Sequence, residues 1–94
     1  MKPSIGRTQN VPYALKIKQS AFKELQKLDK KERTRIVSAI DQLIENPHIG
    51  KGLKGELTGL RRIRSGNYRV IYEIKEREVL ILVLRIAHRK QVYR

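Results

Sequence analysis

The apolar residues of this chain change their spacing partway along the sequence. After a short alternating segment at residues 13–17, they recur every three or four positions as far as residue 44, the spacing of helices with one buried face. From residue 60 onward they alternate or form short apolar runs, which is the pattern of β-strands. This order of segments predicts an α+β fold in which the helices cover one face of a sheet.

Two helices are predicted, and together they form a hairpin with one shared apolar face. Ser20 can cap the first helix. Its apolar positions are Ala21, Phe22, Leu25 and Leu28. The second helix begins at Asp29, with Glu32 three residues further on as in a capping box, and Asn46-Pro47 ends it. Its apolar stripe consists of Ile36, Val37, Ile40, Leu43 and Ile44.

Four strands are predicted, over residues 13–17, 60–64, 68–74 and 79–86. Four glycines at residues 50–59 predict a loop before the second strand. The links at 65–67 and 75–78 are short, so neighbouring strands should be antiparallel. The last strand is apolar on both faces and should therefore be central, between the 68–74 strand and the first one. The predicted fold is β-α-α-β-β-β, a helical hairpin packed on a mostly antiparallel four-stranded sheet.

The length of 94 residues fits one domain. Residues 1–12 contain two prolines and lack a hydrophobic period, so we expect a flexible N-terminal arm followed by a domain at 13–94. There is no cysteine, which excludes a disulfide framework, a thiolate zinc site and a cysteine nucleophile. The longest aliphatic run, residues 79–84, is far shorter than the ~18 residues of a membrane span. We expect a soluble, cytoplasmic protein.

The net charge of +13, from 22 Lys+Arg against 9 Asp+Glu, is the strongest global feature. Such an excess attracts polyanions at long range, and nucleic acid is the first partner to test. A solubilising surface, or an oppositely charged partner protein, would explain the same number. Composition alone does not choose among these three.

Several classes of chemistry have no support in the sequence. His48 and His88 lie in different segments without a carboxylate motif, so no metal site is predicted. The glycine-rich loop does not lie between a strand and a helix as a nucleotide-binding loop would, so no cofactor is predicted. The serines lack a nearby histidine and are interpreted as a cap, a solvent-facing residue and a turn residue.

Cations concentrate on the predicted strands and at the C-terminal end, which predicts a phosphate-binding surface. Its strand and C-terminal members are Arg61, Arg62, Arg64, Arg69, Arg85, His88, Arg89, Lys90, Tyr93 and Arg94. Lys51 and Lys54 lie in the preceding loop. Arg69 is the most informative, because alternation places it on the face opposite Tyr68, Val70 and Tyr72.

Two motifs resemble a known family. The run RSGNYRVIYE at residues 64–73 resembles the R-x-G-x-Y-R-[VI]-[IVL]-Y signature of the RelE/ParE superfamily of bacterial and archaeal toxins. The ending IAHRKQVYR at residues 86–94 resembles the closing H-R-x-x-V-Y of that superfamily. The resemblance extends over residues 13–94. RelE-like members cut messenger RNA in the ribosomal A site, whereas ParE-like members poison DNA gyrase.

The resemblance implies a role for individual residues. Arg69 matches the arginine that binds the scissile phosphate, and Arg89 matches a second arginine. Arg62 falls where RelE-like members carry a lysine, and Arg61 is a neighbouring substitute that alternation points to the other face. Tyr93 matches the tyrosine that orients the reacting nucleotide, and His88 sits where relatives use an acid or base. The other predicted RNA-binding residues are Lys51, Lys54, Arg61, Arg64, Arg85 and Lys90.

In the RNA-cutting branch the ribose 2′-OH attacks the adjacent phosphate without a metal, leaving a 2′,3′-cyclic phosphate and a 5′-OH. The resemblance therefore implies a messenger RNA endoribonuclease without a cofactor, and a separately encoded RelB-like antitoxin, messenger RNA and ribosomal RNA as partners. A ParE-like gyrase inhibitor and an RNA-binding domain without catalysis are the alternatives. The set of His88, Arg89 and Tyr93 beside Arg69 favours the endoribonuclease, because it supplies titratable groups as well as charge.

Overall fold

The computed structural model describes residues 12–89. In this range the chain forms two helices on one face of a five-stranded sheet. The helices are α1 (Gln19–Gln26) and α2 (Lys30–Glu45). The strands are β1 (Ala14–Ile17), β2 (Lys51–Gly52), β3 (Arg61–Ser65), β4 (Tyr68–Lys75) and β5 (Leu80–His88). Their order across the sheet is β1-β5-β4-β3-β2. The predicted α+β class is confirmed.

The sheet differs from the prediction in the number of its strands. The glycine-rich segment was expected to be a loop throughout, but its first part is the short strand β2, which pairs antiparallel with Arg61 and Arg62 of β3. The sheet of the described residues therefore has five strands and not four. The central position predicted for the last strand is confirmed: β5 pairs parallel with β1 and antiparallel with β4.

The predicted N-terminal cap of α2 is confirmed, and the predicted cap of α1 is wrong. Asp29 caps α2, since its Oδ1 accepts a hydrogen bond from the Glu32 amide at 2.9 Å. Ser20 does not cap α1: the helix begins one residue earlier, and the residue before it, Lys18, makes no side-chain capping bond. The lysine side chain cannot accept the bond that a capping oxygen accepts.

The core lies between the helices and the covered face of the sheet. Its fully or nearly buried members are Ala21, Leu25, Ile36, Ile40, Leu43, Val70, Tyr72, Ile81, Val83 and Ile86. The buried stripe is narrower than predicted, because Phe22 and Val37 remain 46% and 42% exposed. α1 has only two turns, and Ala21 and Leu25, four residues apart, are the buried residues of that helix. On the edge strand β1, Leu15 is also exposed.

Strand β5 carries an irregularity that sets which side chains share a face. Ile71 pairs with Arg85, but the next residue, Tyr72, pairs with Val83, so the register shifts by one residue. A bulge of this kind changes the alternation of the strand. Val83 and Ile86 are therefore both buried in the core although they are three positions apart. The start of β5 is also later than predicted, because Val79 has a left-handed φ of 51°.

Tyr72 fastens the segment after α2 to the sheet. Its ring is fully buried, and its hydroxyl donates a hydrogen bond to the Pro47 carbonyl at 2.7 Å and accepts one from the Gly50 amide at 3.0 Å. Arg61 Nη1 donates to the Gly50 carbonyl at 2.6 Å. These bonds satisfy backbone groups of a buried turn, so they hold β2 against the edge of the sheet.

The buried Tyr72 should limit stability at alkaline pH. Burial raises the pKa of Tyr72 above 10.0, and the Gly50 hydrogen bond and the Arg61 charge oppose that rise. The folded state thus disfavours the ionised form, so the Tyr72 contribution is complete below about pH 10 and is lost as pH rises through the folded-state pKa. We expect the free energy of unfolding, measured in urea between about pH 8 and 11, to fall more steeply in the wild type than in Tyr72→Phe. Equal slopes in the two proteins would contradict this role.

Candidate nucleic-acid interface

A tight hairpin places two arginines directly opposite each other. β3 and β4 are joined by Gly66 and Asn67, and Gly66 has a φ of 61°, as the first central residue of a type II′ turn requires. Arg64 and Arg69 are consequently cross-strand partners. Like charges in this arrangement repel each other. An anion bound between them would relieve that repulsion.

More cations lie on the same face of the sheet. Across the strands, Arg62 is the partner of Ile71, and Ile71 is the partner of Arg85. Lys51 of β2 is the partner of Arg62. Their strand neighbours Ile63, Val70 and Ile86 pack in the core, so alternation places this row of cations on the sheet face opposite the helices, from which Arg85 reaches around the edge to Glu24 of α1. We call the surface formed by Lys51, Arg62, Arg64, Arg69 and Arg85 the basic face.

Arg69 is held in position at the end of the basic face. Its Nη1 donates a hydrogen bond to the Arg89 carbonyl at 3.2 Å, and the Arg89 amide donates to the Asn67 carbonyl at 2.6 Å. Arg69 Nε is buried and has no hydrogen-bond partner among residues 12–89. A guanidinium fixed on one side is suited to bind an anion such as phosphate, because it carries five N–H donors in a planar fork. The Arg69 side chain thus lies against the backbone of Arg89.

His88 lies on the other face of the sheet. It is the cross-strand partner of Tyr68, whereas Arg69 is the partner of Ala87. The rings of His88 and Tyr68 contact edge to face with centroids 5.1 Å apart. His88 also borders an open groove of about 510 Å³, which Glu24, Lys27 and Leu28 of the α1 region line as well. The structure therefore separates the His88 ring from the basic face, where the sequence had grouped it with Arg69.

The remaining predicted residues are distributed over several places. Arg61 points toward the helix side, as alternation predicted, and its guanidinium is bound to the Gly50 carbonyl. Lys54 is exposed in the segment between β2 and β3. Lys90, Tyr93 and Arg94 lie outside the described residues. The basic face thus contains five of the predicted cations, with Arg89 beside it.

Sequence reasoning missed the contribution of Glu24. Its Oε1 accepts a hydrogen bond from the Ile86 amide at 2.8 Å, and its Oε2 pairs with Arg85 Nη2 at 2.9 Å. The two contacts join residues 61 and 62 positions apart in the chain. A single acid on a helix carries no sequence signal for such a contact. The hydrogen bonds of the Tyr72 hydroxyl were also missed, although the residue belongs to the motif at 64–73.

Residues 12–89 contain neither a metal-binding cluster nor a membrane-spanning helix. No three His, Cys, Asp or Glu side chains gather there in an arrangement that could hold a metal ion. Neither helix in this range has the length and apolar character needed to cross a membrane.

Comparison with known proteins places the chain in a family. A family model described as ParE toxin of type II toxin-antitoxin system matches residues 15–93. Toxin RelE of Mycobacterium tuberculosis is 36% identical over 85 residues, which cover 88% of each chain. Among solved structures, the toxin-antitoxin complex RelBE2 of M. tuberculosis matches with a TM-score of 0.76 and 32% identity, covering 83% of this chain and 92% of that chain.

The archaeal RelE-RelB complex from Pyrococcus horikoshii is a further match, with a TM-score of 0.70 and 31% identity over 86% of this chain and 99% of that chain. The likeness thus extends over nearly the whole length of these proteins. The motif at residues 64–73 forms the hairpin that presents the paired arginines. The chain belongs to the RelE/ParE superfamily of toxins of type II toxin-antitoxin systems.

Proposed function

We propose that this toxin is a ribosome-dependent endoribonuclease that cuts messenger RNA in the A site and so stops translation. The pairing of Arg64 with Arg69 on the sheet face opposite the helices carries this proposal, because two opposed guanidinium groups form a site for a phosphate diester. The similarity to a toxin named RelE supports the same activity. We therefore expect the toxin to act in the cytoplasm, where ribosomes translate messenger RNA.

The proposed reaction needs no group from outside the chain and its RNA. The ribose 2′-oxygen attacks the adjacent phosphorus, and its proton goes to a base. The bond between phosphorus and the 5′-oxygen breaks, and an acid supplies a proton to that oxygen. The products are a 2′,3′-cyclic phosphate and a 5′-OH. Negative charge accumulates on the phosphate oxygens in the transition state, where fixed cations stabilise it most.

We propose a different role for each group of residues. Arg69 and Arg89 neutralise the reacting phosphate, while Lys51, Arg62, Arg64 and Arg85 hold neighbouring phosphates. Lys54 and Lys90 extend this attraction from the adjoining segments. The placement of His88 beside Tyr68 favours a supporting role for its ring, and leaves proton transfer to Tyr93 or to the arginines themselves.

We infer that the toxin is controlled by a separately encoded antitoxin. The two matched structures, from M. tuberculosis and P. horikoshii, are complexes of a toxin with an antitoxin. A segment that is acidic or amphipathic would neutralise the basic face of this +13 chain and exclude RNA from it.

Inhibition of DNA gyrase is the second candidate, because the matching family model is described as ParE toxin, but the similarity to toxins named RelE and RelG does not favour it. A gyrase inhibitor acts by binding and needs no opposed arginines at a scissile phosphate. Purified toxin is therefore tested in parallel on supercoiling by gyrase and on a translation extract. Gyrase inhibition without RNA cleavage would replace the proposed function by this one.

The RNA ends at the cut sites test the mechanism directly. We expect programmed ribosomes treated with the toxin to yield fragments that end in a 2′,3′-cyclic phosphate and begin with a 5′-OH. These ends follow because the nucleophile is the neighbouring 2′-oxygen and the leaving group is the 5′-oxygen. The measurement is ligation and kinase mapping of both ends, with ribosomes lacking toxin as the control. Fragments that begin with a 5′-phosphate would contradict the mechanism, since they require attack by water.

A further inference from the structure

We propose that Glu24 is a positioning residue, which closes the edge of the sheet beside β5 and fixes the end of that strand where Arg85 and Arg89 are presented. The part of this inference that concerns cleavage rests on the proposed function. The part that concerns the edge of the sheet rests on the contacts of Glu24 alone.

The edge that Glu24 closes exists because β1 is shorter than β5. β1 pairs with β5 only as far as the partners Ile17 and Val83, and a last bond joins the Lys18 amide to the Val83 carbonyl at 2.9 Å. Beyond that point the chain leaves the sheet and enters α1. Within residues 12–89, the last residues of β5 then have β4 on one side and no strand on the other.

Glu24 supplies a hydrogen-bond acceptor that a neighbouring strand would otherwise supply. The Ile86 amide faces the open edge and donates its hydrogen bond to Glu24 Oε1 at 2.8 Å. Ile86 itself is buried, so an amide left without a partner there would destabilise the strand end. An occupied edge amide also offers no pairing site to an incoming strand.

The second carboxylate oxygen of Glu24 holds a cation of the basic face. Oε2 pairs with Arg85 Nη2 at 2.9 Å, and the side chains are 29% and 45% exposed. Contact with two donors at once orients the carboxylate better than either contact alone. The neighbours Ala21 and Leu25 are buried against the core, so α1 presents Glu24 from a fixed position.

The strand end held in this way continues directly into Arg89. The Arg89 amide and carbonyl are bound to Asn67 and Arg69 on the β4 side. Glu24 supplies the support on the opposite side of the strand. Loss of Glu24 should therefore loosen the placement of Arg89 against Arg69 without removing a cation from the basic face. Loose placement lowers the rate of the chemical step more than it weakens RNA binding.

The test compares Glu24→Ala and Glu24→Gln with a matched control, Glu45→Ala. Glu45 is an exposed acid at the end of α2, and its replacement changes the net charge equally. In Glu24→Ala we expect the Ile86 amide to exchange with solvent about tenfold faster, and kcat for cleavage to fall about tenfold with KM unchanged. Glu24→Gln keeps an acceptor for the amide, so it should restore most of the protection and of kcat. Glu45→Ala should match the wild type in both.

Each result decides one part of the inference. Unchanged exchange of the Ile86 amide in folded Glu24→Ala would overturn the closing of the edge, whether or not the toxin cleaves RNA. Faster exchange with unchanged kcat would overturn the positioning role, and so would a raised KM as the sole change. If Glu24→Ala does not fold, a Glu24→Gln protein with wild-type exchange but a tenfold loss of kcat would equally overturn it. A wild-type protein without ribonuclease activity would refute the proposed function, and the exchange measurement would still decide the role at the edge.

Discussion

Replacing Arg69 with alanine is expected to lower RNA cleavage about a hundredfold or more while the protein stays folded. Its guanidinium is fixed by the Arg89 carbonyl and lies opposite Arg64, so it is prepared for a phosphate. A contact that strengthens as charge develops in the transition state affects kcat more than KM. The measurement is single-turnover cleavage on programmed ribosomes.

The fold should tolerate Arg69→Ala because the change has two opposing effects on stability. It removes the hydrogen bond to Arg89, and it also removes the repulsion between Arg69 and its cross-strand partner Arg64. The matched control is Arg77→Ala, which removes an exposed arginine from the turn before β5. Arg69→Lys should be intermediate, since it keeps the charge but lacks the planar fork. Cleavage at the wild-type rate by folded Arg69→Ala would refute the role.

Replacing Gly50 with alanine is expected to lower the free energy of unfolding by about 3 kcal/mol. A Cβ at this position would overlap the hydroxyl of Tyr72, and it would lie 2.8 Å from two ring carbons. The Tyr72 ring is fully buried, so it cannot move aside without disturbing the core. A shift of the segment would break the bonds that join Gly50 to Tyr72 and to Arg61.

The adjacent strand offers a matched control for this prediction. Gly52 has no heavy atom within 4 Å of an added Cβ, and it is exposed on β2. We therefore expect Gly52→Ala to unfold like the wild type, whereas Gly50→Ala should lose about 15 °C in Tm. Thermal unfolding followed by circular dichroism measures both. Equal Tm values for the two variants would show that the Tyr72 hydroxyl does not restrain this segment.

The predictability of the site differs from one residue to another. The pairing of Arg64 with Arg69 follows from six consecutive residues, because a glycine turn folds the motif back on itself. The position of His88 does not follow, because a bulge in β5 decides which side chains face the helices. No local sequence pattern predicts that bulge.

The sequence alone determined the features that depend on local spacing. Hydrophobic periodicity identified both helices and the strands β3, β4 and β5, and Asp29 marked the start of α2. The doubly apolar last strand had to be central, since only a strand with neighbours on both sides and layers above it buries both faces.

Tertiary structure alone decided the contacts between distant segments. Glu24 reaches β5, and Tyr72 reaches the turn after α2, across 62 and 25 residues of chain. In both cases the reason is the same: a buried backbone group must find a hydrogen-bond partner, and which side chain supplies it depends on what the folded chain brings near. The basic face has the same origin, because charges on four separate strands become one surface only when the sheet forms.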